Sequence, residues 1–418
     1  MAFCIRPQLV SSYWKSVASV LTGSALAQVI PIIGSLVIAR LYAPADFGVF
    51  SAWFGIVLLL SVVLTGRFEM ALAVEVDGEP RRLAVLSTLA TACFVAGAAA
   101  ILLAIGGLVA PGGMNAFPAV LIFASVPTGL AIAAAQTWQS WAAAEGSYRQ
   151  LSMMRIAQAG AVTFIQVIAG AFHASADTLA ISHLMGVIVG LAVSAYLMPV
   201  GTFPAGQAIV SIRSFWSRQR RFPLLSLPAD AINTAAAQLP LLIVASRFGA
   251  ETAGLLAMTM RILGAPIGLL GKSVLDVFKR HAATSFRERG ECRSDYLRTF
   301  KVLALGSLAF CAVMAFANEP LFALAFGEEW RGAGTIAVWL LPLFALSFIA
   351  SPLSYMVYIA GKQHVDLFWQ IALLGMTISS LSIPTNHQHA LQAYSAGYSM
   401  LYVIYLVMSY RFSLGVRS

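Results

Sequence analysis

Twelve apolar blocks, each about as long as a bilayer crossing, govern what this chain can fold into. With soft ends they run over 16–39, 48–66, 83–110, 117–141, 151–172, 178–199, 223–246, 252–271, 300–318, 333–360, 364–384 and 390–410. A hydrocarbon core takes roughly 20 helical residues to cross. Within it every backbone N–H and C=O must find a partner inside the segment, so such blocks become helices. Only 10% of the residues are charged, against about 25% in soluble domains. The reading is an all-α integral membrane protein with about twelve transmembrane helices.

The basic residues orient these helices. Of the 26 lysines and arginines, Arg155 and Arg261 lie inside blocks, and Arg40, Arg247 and Arg331 lie in one alternating set of connections. The remaining 21 fall in the other set, at its edge in the case of Lys301, or at the termini. By the positive-inside rule this places both termini in the cytoplasm. The same rule accounts for the net charge of +9, so nucleic acid is not expected as a partner. Arg6 and Lys15 precede the first block, and Ala25-Leu26-Ala27 imitates a signal cleavage site. The apolar run continues to Ala39, too long for a signal core, and reads as an uncleaved first span.

Near the end of the first block, Arg40-Leu41-Tyr42-Ala43-Pro44-Ala45-Asp46-Phe47-Gly48 closes one helix and launches the next. Leu36–Ser51 aligns without a gap on Leu242–Ala257, an offset of 206 in a chain of 418. Leu36, Ala39 and Gly48 recur as Leu242, Ala245 and Gly254. An offset near half the length suggests duplication. Residues 1–200 and 223–418 then form two six-helix lobes, joined by a cytoplasmic linker at 201–222. An even number of spans per half relates the lobes by a pseudo-twofold axis along the membrane normal. The other long polar segment, 272–299, reads as an amphipathic surface helix, and 320–326 as an interfacial piece. Pro342 and Pro352 are expected to bend the 333–360 block.

Little in the chain speaks for bond-making chemistry. Gly271-Lys272-Ser273 imitates the tail of a phosphate-binding loop, but Pro266 stands where the pattern needs glycine. Cys93 and Cys311 lie in apolar runs and Cys4 and Cys292 in basic surroundings; all four are expected as free thiols, with no metal spacing. Glu319, Glu328, Glu329 and Arg331 form the only charged outer cluster and read as a solvated loop. Short outer loops argue against an enzyme acting outside, and no cofactor is implied.

Ionisable groups inside spans cost about 2.5–3.5 kcal/mol each on insertion scales and face a cavity or a partner. Arg261, Arg155 and Asp230 are the three that matter. Asp230 and Arg261 can pair across neighbouring helices, either as a packing ion pair or in a substrate or coupling role. Ser24, Gln28, Pro31 and Ser35 share one face of the first span, and Ser226, Asp230 and Asn233 one face of the seventh. The offset of 206 maps Ser24 onto Asp230 and Gln28 onto Thr234. Arg155, Gln158 and Gln166 mark a face of the fifth span. The stripes read either as a hydrated cavity or as helix–helix hydrogen bonding. Ser24, Gln28, Asp230, Asn233, Arg155, Gln158 and Arg261 are the substrate-cavity candidates. Arg67 and Glu69 read as interfacial, His183 as packed or interfacial, and His387 and His389 as loop residues.

The segment Ala39–Gly48, the later Gly66-Arg67-Phe68-Glu69-Met70-Ala71 and the earlier Gly23-Ser24-Ala25-Leu26-Ala27-Gln28 resemble bacterial polysaccharide export proteins. These are the O-antigen flippases (Wzx-type) of the multidrug/oligosaccharidyl-lipid/polysaccharide exporter superfamily. The resemblance implies a V-shaped pair of six-helix bundles in the bacterial inner membrane. It implies an undecaprenyl-pyrophosphate-linked oligosaccharide as substrate, and the polysaccharide polymerase machinery as a partner. A cation-coupled drug exporter of the same superfamily, or a polysaccharide polymerase or ligase, stand as alternatives.

Overall fold

The computed structural model describes residues 26–109, 117–204, 206 and 208–415. Six helices come first: α1 (Leu26–Leu41), α2 (Pro44–Leu64), α3 (Glu79–Val109), α4 (Ala119–Ala144), α5 (Tyr148–Phe172) and α6 (Ala176–Leu197). A short α7 (Ala208–Arg218) and a π turn (Phe222–Ser226) lead into α8 (Leu227–Phe248). Then follow α9 (Ala250–Arg289), α10 (Arg293–Phe326), α11 (Arg331–Leu353), a single turn α12 (Met356–Ile359), α13 (Gln363–Ser382) and α14 (His387–Ser413). The twelve blocks thus become α1–α6, α8–α11, α13 and α14. Among the described residues, nine helical segments are long and apolar enough to cross a membrane. Large apolar side chains such as Phe94, Phe123 and Leu305 stand exposed on helix flanks, which suits lipid and not water. The protein is a multi-pass membrane protein.

One sequence expectation changes and two gain detail. The 272–299 segment is no separate surface helix: α9 runs unbroken to Arg289, and α10 starts at Arg293. The 320–326 piece is the last part of α10, which continues through Pro320. In the 333–360 block α11 passes Pro342, and the break comes after Leu353, where a turn separates α11 from α12. Helices pass their prolines because neighbouring groups in a membrane bundle satisfy the freed carbonyls.

Two compact units emerge. One comprises Met1–Tyr42 and Val49–Gln238, the other Ala43–Gly48 and Leu239–Ser418. Two helices are therefore divided: the start of α2 belongs with the second unit, and the start of α8 with the first.

In the first unit, α5 and α6 lie close because Gly186 and Gly190 leave room. A Cβ on either would overlap Val162 or Gln158 of α5. Trp53 donates to the Leu121 carbonyl at 2.6 Å and fixes α2 on α4. A core of Phe68, Leu72, Trp138, Trp141 and Phe215 closes one end. Phe215 and Trp216 come from α7, which the sequence placed in a linker. Phe215 is buried, its ring 5.2 Å from that of Phe68, and Trp216 Nε1 donates to Thr91 Oγ1 at 2.8 Å. Ala208, Ile212 and Phe215 recur at helical spacing and make α7 amphipathic, so one face has to be covered.

In the second unit the duplicated motif meets itself. α2 begins at Pro44 and α9 at Ala250, the same offset of 206, and Gly48 and Gly254 are each the fifth residue of their helix. A Cβ on Gly48 would overlap the Ala250 carbonyl oxygen, and one on Gly254 the Pro44 carbonyl oxygen. Phe47 seats its ring edge-on against the buried Trp330 at 5.6 Å. At the end of α8, Arg247 Nη1 donates to the carbonyls of Leu381 (2.7 Å) and Pro384 (3.2 Å), capping α13. Tyr394, Tyr398, Tyr402 and Tyr405 form an aromatic column along α14, joined by Trp369 of α13.

Candidate functional site

Polar groups in the first unit gather in two places. The first is a seam between α4 and α5. Arg155 and Gln158 stand three residues apart on α5, hence on one face. Gln139 of α4 bridges them: Arg155 Nε donates to Gln139 Oε1 at 3.3 Å, and Gln139 Nε2 donates to Gln158 Oε1 at 3.0 Å. The result is a guanidinium bonded to one amide that in turn bonds a second, all three side chains half-buried. Such a set can donate to phosphate or sugar oxygens. Gln166, two turns further along α5, is occupied otherwise. Its Nε2 donates to the Leu179 carbonyl and its own carbonyl accepts from Tyr42 Oη at 2.9 Å.

The second is a charged corner where α2 ends and α8 begins. α2 stops before Gly66, and Arg67 takes a left-handed backbone with φ of 60°. Among the described residues no other non-glycine has a positive φ. This conformation costs about 1–2 kcal/mol for an L-residue. It turns the chain into a 3₁₀ segment, Phe68–Ala73, and aims the guanidinium at two carboxylates. Arg67 Nε donates to Asp230 Oδ2 at 2.7 Å, and Nη1 donates to Glu69 Oε1 at 2.9 Å. Asp230 sits in the first turn of α8, where the helix dipole favours a negative charge. Glu69 is 4% exposed, and its Oε2 is buried with no hydrogen-bond partner.

A neighbouring charged group is architectural. Buried Arg81 donates to the carbonyls of Leu72 (2.9 Å) and Glu75 (2.8 Å) and to Glu145 at 3.2 Å. Glu75 accepts from Gln219 at 2.8 Å and faces Arg218 at 3.5 Å. These bonds staple the 3₁₀ segment to α3, to the end of α4 and to the residues after α7.

The predicted residues therefore scatter. Arg155 and Gln158 come together, with Gln139 as the partner that the sequence reading missed. Asp230 binds Arg67, a partner the sequence reading did not name, and Arg261 lies half-buried on α9 in the second unit. Asn233 is exposed on α8, Gln28 is half-buried on α1, and Ser24 lies outside the described residues. Arg67 and Glu69, read as interfacial, form an ion-paired cluster with Asp230. A signal was present: the Gly66-Arg67 pair sets a turn, and Glu69 two residues on can reach back. His183 is packed as expected, 4.5 Å from the Phe54 ring. Cys93, Cys292 and Cys311 are free thiols, and Cys4 lies outside the described residues. Among the described residues no three His, Cys, Asp or Glu converge as a metal site.

Comparison with known families returns one match: the family described as "Polysaccharide biosynthesis protein" aligns with residues 37–334. The chain belongs to that family. The match starts one residue into the Leu36–Ser51 repeat and ends in the first turn of α11. This polysaccharide biosynthesis family member has the fold of solved transporters. The lipid II flippase MurJ, in an inward closed conformation, aligns over 93% of this chain and 87% of its own, with 12% identity and a TM-score of 0.71. An inward-facing multidrug resistance MATE family transporter of the MOP superfamily aligns over 94% of each chain, with 12% identity and a TM-score of 0.58. The outward-facing conformation of a transporter so described covers 96% of this chain and 94% of its own, with 14% identity and a TM-score of 0.57. Among curated protein sequences, none matches this chain.

Proposed function

We propose that this protein flips an undecaprenyl-pyrophosphate-linked oligosaccharide across the bacterial inner membrane by alternating access, supplying surface polysaccharide such as O-antigen. The observation that carries the reading is the Arg155–Gln139–Gln158 seam in a chain of the polysaccharide biosynthesis family. Unpaired hydroxyls taken into hydrocarbon cost roughly 2–7 kcal/mol apiece, so a sugar chain needs a polar lining to cross. Two amides and a guanidinium supply donors of the right kind for sugar hydroxyls and a pyrophosphate. Arg261, Asp230, Gln28, Asn233 and Ser24 complete the proposed lining. Residues 1–200 and 223–418 are the proposed moving lobes, with both termini in the cytoplasm by the charge bias. The polymerase machinery is the proposed recipient of the product, and no bond in the substrate is made or broken.

The test is where lipid-linked repeat units reside when the protein is lost. They should accumulate on the cytoplasmic leaflet, and their normal display outside, in a strain without a second flippase, would sink the proposal. The MATE fold keeps a second reading open, a cation-coupled multidrug exporter. That reading requires overexpression to raise tolerance to cationic dyes. A change in polymer length with normal flipping would point instead to a polymerase or ligase.

A further inference from the structure

We infer that the cleft between α9 and α10, at the end of the second unit that the charge bias places in the cytoplasm, holds an aminophospholipid by its phosphoethanolamine headgroup. The cleft has a volume of about 320 Å³. It lies within one compact unit and shares no residue with the α4–α5 seam or the corner at Arg67.

Its lining is graded along both helices. α9 and α10 form an antiparallel hairpin joined through Gly290-Glu291-Cys292. From the bilayer end, α9 presents Val274, Val277 and then His281, while α10 presents Val302, then Thr299 and Arg298, and last Asp295. His281 lies seven positions after Val274, and Asp295 seven before Val302, so valine gives way to charge over roughly 10 Å of helix. The flanking apolar blocks stop at 271 and resume at 300. The valines therefore border the hydrocarbon, and the polar groups stand in the headgroup layer, which is roughly 5–7 Å deep on each side of a bilayer. Val277 and Val302 are exposed, as suits side chains that meet acyl chains.

The polar end carries both signs of charge. Asp295 and Arg298 stand three residues apart on α10, hence on one face. Asp295 nevertheless has its ionic contact with Arg289, at 4.0 Å, and the same Arg289 nitrogen donates to Ser285 Oγ at 2.8 Å. Asp295 Oδ2 is shielded from water and has no hydrogen-bond partner among the described residues. His281 Nδ1 lies 2.9 Å from the Val277 carbonyl. A carbonyl only accepts, so Nδ1 carries the hydrogen and Nε2 of the neutral ring is an acceptor. An ammonium group offers three donors to Asp295 and His281, and a phosphodiester offers oxygens to Arg298 and Thr299. Phosphoethanolamine joins those two groups on one lipid. A purely anionic headgroup would face Asp295 without compensation, and a quaternary amine has no N–H to give.

The back wall is fixed before any lipid arrives. Phe278 is buried and stands edge-on to Tyr296 at 6.3 Å. Tyr296 Oη donates to the Leu406 carbonyl of α14 at 3.0 Å and lies 2.8 Å from Ser409 Oγ. A preformed cleft spends little free energy on ordering itself around a ligand.

The experiment titrates the full-length protein, purified in detergent, with lipids of identical acyl chains, and native mass spectrometry reads the lipid-bound species. The lipids are phosphatidylethanolamine, its N-methyl and N,N-dimethyl forms, phosphatidylcholine and phosphatidylglycerol. Phosphatidylethanolamine should bind about fivefold or more tightly than phosphatidylcholine, with affinity falling at each methyl as donors are lost. Asp295→Asn should lower phosphatidylethanolamine to the level of phosphatidylcholine. Arg298→Gln should weaken both, since both carry the phosphate. If Asp295→Asn does not fold, the methyl series on the unaltered protein decides. Equal binding of the ethanolamine and choline lipids overturns the inference, as does tighter binding of phosphatidylglycerol or an Asp295→Asn protein that keeps the preference. No glycolipid enters the titration, so its outcome is independent of the flippase reading.

Discussion

Replacing Gly48 or Gly254 by alanine tests the packing of the duplicated motif. Two effects oppose each other. Alanine in place of a helical glycine stabilises by roughly 0.5–1 kcal/mol, because glycine loses more backbone freedom on folding. Against this, a Cβ on Gly48 would overlap the Ala250 carbonyl oxygen and lie 2.7 Å from the Gly254 nitrogen; one on Gly254 would overlap the Pro44 carbonyl oxygen and lie 3.0 Å from the Gly48 nitrogen. These neighbours are backbone atoms of α2 and α9 and cannot rotate away, so the helices have to separate. Overpacking of this kind costs about 1–3 kcal/mol, and the rigid partners argue for the upper part of that range. Each single substitution should therefore destabilise by about 1–2 kcal/mol net. One separation relieves both overlaps, so Gly48→Ala with Gly254→Ala should cost less than the sum, by about 1 kcal/mol. Reversible unfolding in bicelles measures all three variants. Gly97→Ala is the control: nothing lies within 4 Å of its added Cβ, so it should be neutral or stabilising. A Gly48→Ala protein as stable as Gly97→Ala, or full additivity in the double variant, would refute the reasoning.

Other substitutions probe separate parts of the molecule. Arg261→Ala should impair export of surface polymer more than Arg155→Ala, because Gln139 and Gln158 remain at the α5 seam; normal polymer with correctly inserted Arg261→Ala protein removes Arg261 from the proposed lining. Trp216→Phe loses the bond to Thr91 and should cost about 1 kcal/mol. Thr91→Ala should give the same loss in the same unfolding assay, and the pair no further loss. Burial, with help from Asp295 and Glu291, pushes the Cys292 thiol from its ordinary 9.0 up to about 11. The fold thus holds the protonated form, so this contribution is complete below pH 9.0 and is lost as pH rises towards about 11. Unfolding measured across that window should flatten in Cys292→Ala, and near-neutral maleimide should spare Cys292.

The division between sequence and structure follows from the range of the forces involved. The bilayer imposes a local rule, since a block of about twenty apolar residues has to satisfy its own backbone. The all-α class, the order of twelve helices and the multi-pass character were therefore legible in the chain. The repeat was legible too, because Gly48 and Gly254 keep the same helical position. Helix ends near polar segments were less so. Nothing local forbids α9 from continuing to Arg289 or α10 from passing Pro320, and packing outweighs the weak propensity signals there.

Long-range pairing lay beyond reach. Asp230 seemed suited to Arg261 because both are ionisable groups within spans. Its partner is Arg67, 163 positions earlier in the chain and brought to it by a left-handed turn. Gln139 became part of a seam only when α4 lay beside α5. Hydropathy by itself determined which segments cross the membrane, because that choice depends on each segment's own composition. Which charges meet was decided only by the tertiary structure, because an ion pair depends on where two distant segments are carried by the packing of everything between them.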